Sequence, residues 1–306
     1  MLPFQCGLFA FAVLGLATQA QADITFAKAG SAALMSFTDQ NNGKTHATII
    51  GDVGFDLGVG AGFGLSFDAV GYKDGVSALA KYRAMTWSND MFSIEIGEPE
   101  PGFRAYGRSS FTTRFAILDQ NALTYADSYL TLSDLESGDA PRGIRVNLDT
   151  ERFDLAISTH EAAIEGVDRP ISASLAFALG ANFTLSAGWE KVPDQFMGMP
   201  MDVTKIKIGL SKDFGKLDFS LAAYRLEVDS VFFGQDRRAY EIGLNYQFND
   251  RLSAGISVLD MPDDNRRVTS ADVSYQVWKG ASLVAGASKT SDKDGLFYGI
   301  GLRYDF

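Results

Sequence analysis

The sequence predicts an all-β protein, a transmembrane antiparallel β-barrel of about sixteen strands with a long third loop folded into the lumen. Three observations predict it. Segment after segment alternates apolar with small or polar residues, the period of a strand. These segments run to about ten residues or more, as a tilted crossing of the hydrocarbon requires, whereas sandwich strands are usually shorter. The connections sort alternately into tight turns and mostly longer, polar loops, which a membrane barrel explains and a soluble sandwich does not.

The chain opens with a leader. Gly7 to Ala17 form an apolar run too short to span a bilayer as a helix, and Ala20-Gln21-Ala22 follow as a small-x-small cleavage site. Cleavage between Ala22 and Asp23 leaves one barrel domain over 23–306 and places the protein outside the cytoplasm. No Lys or Arg precedes the apolar run, an irregularity for such a signal. The one cysteine, Cys6, lies in the leader, so the remainder has no disulfide and no thiol ligand for a metal.

A formal charge of −11 argues against nucleic acid as a partner. No apolar stretch of helical membrane length follows the leader, so a membrane position requires a closed barrel.

Sixteen strands are read in order: 24–38, 44–57, 63–73, 75–88, 91–97, 142–150, 152–160, 170–179, 182–192, 203–213, 216–228, 237–248, 251–260, 267–278, 281–290 and 295–306. The last shows the logic best, with Leu296, Tyr298, Ile300, Leu302, Tyr304 and Phe306 on one face and Gly299, Gly301, Arg303 and Asp305 among those on the other. Tyr240, Ile242, Leu244, Tyr246 and Phe248 form an equivalent stripe. Tight connections fall at 58–62, Asn89-Asp90, Glu151, Gly180-Ala181, 214–215, Asn249-Asp250 and Lys279-Gly280. The other set is 39–43, Asp74, 98–141, 161–169, 193–202, 229–236, 261–266 and 291–294, mostly longer and read as extracellular.

The stretch 98–141 is too long for a passive connection. It carries Phe103, Tyr106, Phe111, Tyr125 and Tyr129, an apolar content that argues against disorder. It should therefore pack, and the lumen wall is the surface on offer. A barrel of this size leaves an aqueous channel, which an inserted loop would narrow.

Parity assigns side chains to the pore. With Val76, Ala78, Ala80 and Tyr82 taken as a lipid stripe, Lys81 and Arg83 turn inward. With Ile144, Val146 and Leu148 as the next stripe, Arg145 turns inward, and Lys205 and Lys207 follow by the same logic. Glu98, Glu100, Asp119 and Asp127 in the intervening loop supply the opposite sign. Such charges facing one another across a narrow pore would create a transverse field that excludes apolar solutes. Ordinary pairs between surface charges are the plainer reading of the same residues.

The exported alternating strands, the long insert after the fifth strand and a final strand ending in Phe306 together resemble the general porins of Gram-negative bacteria. The resemblance covers nearly all of the chain after the leader. It implies a water-filled outer-membrane channel for passive diffusion of ions and small solutes, with the third loop forming the constriction. It further implies a homotrimer in outer-membrane lipid and insertion by the barrel-assembly machinery, which would read Phe306. The minimal connection at Asp74 departs from the enteric porins, whose corresponding loop latches onto the neighbouring subunit.

Other readings need other residues. A barrel enzyme needs a nucleophile beside a base, and the two histidines, His46 and His160, fall near strand ends on the polar face without an evident triad. No phosphate loop, zinc motif or nucleotide fingerprint appears, and the acidic loops 260–264 and 291–294 lack the spacing of a calcium loop. Neither a cofactor nor a metal is therefore expected. A substrate-specific channel or a plugged receptor remains compatible with the same strands.

Overall fold

A computed structural model describes residues 25–38, 43–56, 61–72, 77–106, 125, 127–131, 141–161, 168–196, 199–230, 234–292 and 296–305. Side chains are described within these ranges from Lys81 onward, except at 195–200, 297 and 305. The strands are β1 (Thr25–Thr38), β2 (Gly43–Asp56), β3 (Ala61–Tyr72), β4 (Ser77–Ser88), β5 (Phe92–Glu98), β6 (Gly143–Asp149), β7 (Phe153–His160) and β8 (Ile171–Gly180). They continue as β9 (Phe183–Phe196), β10 (Met199–Asp213), β11 (Leu217–Ser230), β12 (Gly234–Asn249), β13 (Leu252–Met261), β14 (Arg266–Trp278), β15 (Ala281–Thr290) and β16 (Leu296–Asp305). One helical turn, α1 (Gly102–Ala105), follows β5, and a 3-10 turn, Pro262–Asp264, joins β13 to β14.

The chain is an antiparallel all-β sheet in which each strand pairs with the next in sequence. The ladder also pairs β1 with β16, from Ser31 opposite Asp305 to Thr38 opposite Tyr298.

Period two divides the side chains between two faces. The outer face is the apolar one: Tyr240, Ile242, Leu244, Tyr246 and Phe248 are all exposed, as are Leu296, Tyr298, Ile300, Leu302 and Tyr304. An exposed stripe this continuous has no place in water and fits lipid or another apolar surface. Aromatics bracket it, with Trp189, Tyr240 and Tyr298 towards one edge and Trp87, Phe248, Trp278 and Tyr304 towards the other. The inner face carries small and polar residues, among them Ser158, Ser172, Ser174, Glu190, Lys205 and Lys207, all buried.

Several tight turns are set by side chains that replace missing ladder bonds. Asn89 accepts hydrogen bonds from the backbone N–H groups of Met91 and Phe92, and Asn249 does the same for Arg251 and Leu252. Thr150 accepts from Phe153 N–H at 3.0 Å. Between β8 and β9 the chain takes positive φ at Gly180, Ala181 and Asn182, a conformation that asparagine and glycine tolerate best.

Two expectations are corrected. The connections read at 193–202, 229–236 and 261–266 are shorter, because β9 runs to Phe196, β10 begins at Met199, β11 reaches Ser230, β12 begins at Gly234 and β13 ends at Met261. Pro193 and Pro200 suggest a loop, yet both lie within the β9–β10 ladder, opposite Asp202 and Gln195. β8 pairs only as far as Lys191 and β11 only as far as Met201, so each proline sits where its third neighbour has ended and its missing N–H costs no bond.

The second correction concerns β4. Tyr82 and Ala84 are buried on the inner face, whereas Lys81, Arg83, Met85 and Trp87 are exposed on the outer one. Lys81 and Arg83 therefore do not point inward. The outer residues of this strand change from apolar at Met85 and Trp87 to basic at Lys81 and Arg83, so the apolar stripe stops halfway. Tyr82 and Ala84 on the inner face imitate the missing half.

Candidate functional site

The insert leaves the wall at Gly97, whose φ of 134° suits glycine and where a Cβ would lie 2.6 Å from the Arg83 carbonyl oxygen. Beyond Glu98 it turns onto the inner face, where α1 packs against β7, β8 and β9. A single helical turn has unsatisfied backbone N–H groups, and serines of the wall take them up. Gly102 N–H donates to Ser158 Oγ at 2.9 Å, Phe103 N–H to Ser172 Oγ at 3.3 Å, and Tyr106 N–H to Ser174 Oγ at 3.1 Å. Ser174 returns a bond to the Gly102 carbonyl at 2.5 Å. The fit is close at Gly102, where a Cβ would lie 2.9 Å from the Ser172 carbonyl oxygen.

Phe103 is 1 % exposed and seats its ring over Gly188, where any Cβ would be 3.1 Å from ring carbons. Lys205 and Lys207 stand 5.5 Å and 4.7 Å from the ring centroid, within cation–π range. Lys207 also donates to the Tyr106 carbonyl at 3.4 Å.

Around this seat lies a network of alternating charges. Arg104 binds Glu100 at 2.9 Å and Asp127 at 2.7 Å. Arg145 binds Glu95 at 3.1 Å and Glu100 at 3.7 Å, and donates to Asn147 at 2.9 Å. Lys205 donates to the Asp127 carbonyl. Low exposure of these groups strengthens each pair relative to a surface ion pair, and their mutual contacts offset desolvation.

The returning part of the insert, described at Tyr125 and at 127–131, is held from several strands. Glu190 of β9 accepts from Ser128 Oγ at 2.5 Å and from Tyr129 N–H at 2.7 Å. Tyr129 donates its hydroxyl to Asp194 at 3.0 Å, and Tyr82 of β4 donates to Thr131 at 3.0 Å. Tyr125 packs into an apolar cluster of the inner face that includes Met201, Val203, Leu226, Leu259 and Met261. An apolar patch inside a polar-lined sheet is accounted for by this cover.

Tyr125 donates to Asp264 at 2.7 Å, and Asp264 also pairs with Arg237 at 3.2 Å. Burial first, then the Asp264 hydrogen bond and charge, push the Tyr125 hydroxyl above the usual phenol range. The stabilisation from that proton is complete below the ordinary phenol pKa of about 10 and disappears only as pH rises through the raised value. Tyr125→Phe removes a hydrogen bond to a charged acceptor that keeps Arg237. It should weaken docking of this segment by about 1.5 kcal/mol, read as faster amide exchange at 127–131.

Of the charges expected at the pore, Arg145, Glu100 and Asp127 come together on the inner face. Lys81, Arg83 and Glu98 do not join them. Arg83 instead pairs with Glu98 at 2.6 Å on the outer face, with the Arg83 side chain half exposed. Asp119 lies outside the described residues, as do Ala22, Asp23 and Phe306. Four participants escape the first reading: Arg104, Glu95, Glu190 and the serine ladder. Parity could have found Glu95 between Ile94 and Ile96, and Glu190 beside Trp189; Arg104, in irregular backbone, carries no periodic signal.

His160 is buried and its Nε2 lies 2.9 Å from Ser158 Oγ, so a serine–histidine pair does exist. It is sealed beneath Gly102, whose N–H already occupies Ser158, and Nδ1 has no hydrogen-bond partner among the described residues. The arrangement supports the root of the insert, and among the described residues no carboxylate orients the imidazole as a triad requires. The His46 side chain is outside the described residues.

Neither a family model nor a curated protein sequence matches the chain. Solved structures do. An anion-selective porin from Comamonas acidovorans is similar with a TM-score of 0.67 at 12 % identity, over 93 % of this chain and 100 % of that one. A loop-deletion mutant of OmpT, an outer membrane protein of Vibrio cholerae, gives 0.66 at 10 % identity over 92 % and 99 %. A triple mutant of the Rhodopseudomonas blastica porin gives 0.63 at 14 % identity over 92 % and 100 %. At these identities the likeness is one of architecture, and this chain has the porin fold.

Proposed function

We propose that the chain, once its leader 1–22 is removed, forms a sixteen-stranded closed barrel in the outer membrane of a Gram-negative cell. Its lumen is a water-filled channel for passive diffusion of ions and small hydrophilic solutes, and the protein is a channel rather than an enzyme. The observation that carries this reading is the charged insert seated on the inner face while the outer face is apolar. That arrangement suits a lipid-embedded wall around a narrowed aqueous path. The β1–β16 pairing supports closure. Arg145 with Glu100 and Asp127, joined by Arg104, form the constriction in this proposal. A homotrimer, contact with outer-membrane lipid and assembly through Phe306 belong to the same proposal, motivated by the porin resemblance.

Planar-bilayer recording of the refolded protein tests it. Stable current steps that scale linearly with salt are expected, and triplet closures would reveal the trimer. A folded barrel that gave no steps would sink the channel reading. Arg145→Ala should raise conductance by a fraction rather than a multiple, because it removes bulk at the constriction while Arg104 still holds Glu100 and Asp127.

A further inference from the structure

Resting on the channel reading, we infer that this pore prefers cations. The preference is set at the short-turn mouth by two cross-strand carboxylate pairs, Asp149 with Asp154 and Asp213 with Asp218. Each pair stands in register at the end of a hairpin, on β6–β7 and on β10–β11. Strand parity turns all four to the inner face: Asp149 follows Arg145 and Asn147, Asp154 precedes Ala156 and Ser158, Asp213 follows Lys205 and Lys207, and Asp218 precedes Tyr224. Asp149, Asp213 and Asp218 are exposed and Asp154 is half-buried.

Like charges directly opposite in an antiparallel pair destabilise the sheet. Two such pairs at equivalent rungs therefore contradict the requirements of folding, which is where a functional constraint is expected. Their hydrogen bonds do not neutralise them. Asp149 accepts from the Tyr106 hydroxyl, Asp213 from Gly215 N–H at 2.5 Å, and Asp218 from Asn245 Nδ2 at 3.2 Å, all uncharged donors.

The cations on the inner wall near the insert are withdrawn from water. Lys205 and Lys207 are buried at 1 % and 2 %, while Arg104 and Arg145 are each bound by two carboxylates. The lumen thus holds both signs, and among the described residues of this mouth the four inward carboxylates outnumber Arg303, which parity turns to the inner face of β16 opposite Ser282. In the adjoining turns Glu151 offsets Arg152, and Lys216 compensates only one of the four carboxylates. These carboxylates act by field rather than by ligation, enriching cations within a Debye length of about 8 Å at physiological ionic strength.

The test is the reversal potential across a bilayer holding the refolded protein in a potassium chloride gradient. The unaltered channel should favour potassium over chloride, more strongly at low salt. The pairwise variants Asp149→Asn/Asp154→Asn and Asp213→Asn/Asp218→Asn should each reduce the permeability ratio, and all four changes together should bring it close to that of free potassium chloride. Glu161→Gln, at the opposite end of β7, should leave the ratio where it was. The fourfold variant should also unfold at a higher temperature, because two repulsions are removed. Steps without selectivity, or a ratio unmoved by the four changes, would overturn the carboxylate mechanism while leaving the channel intact. Absence of any steps would instead overturn the channel and the selectivity with it.

Discussion

Glu190→Ala should release the returning part of the insert from β9 while leaving the sheet folded. Glu190 is fully buried, and its carboxylate is the shared acceptor of Ser128 Oγ and Tyr129 N–H. The buried Lys205 ammonium is the main positive charge acting on it. Alanine would orphan two donors and leave Lys205, among the described residues, with the Asp127 carbonyl and the Phe103 ring but no carboxylate opposite it. Removing one member of a buried charge pair costs about 3–5 kcal/mol, mostly from the charge left behind. Because the backbone ladder of β9 with β8 and β10 is untouched, that cost should fall on docking of 127–131. The expected readouts are cleavage of the insert by protease in the refolded protein, noisier open-channel current, and an unchanged shift between folded and heat-unfolded bands on a gel. Glu190→Gln keeps an acceptor for Ser128 or Tyr129 but loses the charge, so it should lie between the two. Equal protease resistance in the alanine variant and the unaltered protein would show that the insert is held elsewhere.

Why this anchor is hard to read from sequence is a matter of where periodicity exists. On β12 from Tyr240 to Phe248 and on β16 from Leu296 to Tyr304 the outer residues are large and apolar, so alternation alone assigns both faces correctly. On β4 the outer residues change character between Arg83 and Met85, while Tyr82 and Ala84 face inward, and the same rule gives the opposite answer. Tyr82 faces inward to meet Thr131, a contact 49 residues away that no local pattern announces. Strand ends of β9 and β10 are misread for a related reason. Proline signals a break only where a neighbouring strand needs its N–H, and whether one is present is a property of the sheet. The charges of the site divide likewise. Arg145, Lys205 and Lys207 sit on regular strands and their inward direction follows from parity. Several of their partners, Glu100, Phe103, Tyr106 and Asp127, lie in the insert, whose irregular backbone leaves pairing undetermined until Phe103 finds Gly188.

Phe103→Ala should undock the root of the insert, because this ring is its largest buried apolar contact with the wall among the described residues. Deleting a buried phenylalanine side chain costs about 3–5 kcal/mol through lost transfer energy and the cavity left behind. The cavity here would have Gly188 as its floor and the Lys205 and Lys207 stems at its side, and glycine has no side chain with which to fill it. The serine bonds to Gly102, Phe103 and Tyr106 would then have to hold the turn without its anchor. Amide exchange at Gly102 and Tyr106 is the direct measurement. A loss of about 3 kcal/mol corresponds to roughly a hundredfold faster exchange. Phe103→Leu should cost less, since most of the volume is kept. Gly188→Ala approaches the same contact from the wall, placing a methyl 3.1 Å from the ring carbons so that the ring must give way by a few tenths of an ångström. If Phe103→Ala left exchange at Gly102 unchanged while Arg104→Ala accelerated it, the ion pairs rather than the ring would be what fixes the insert. The wall would then be holding it by charge.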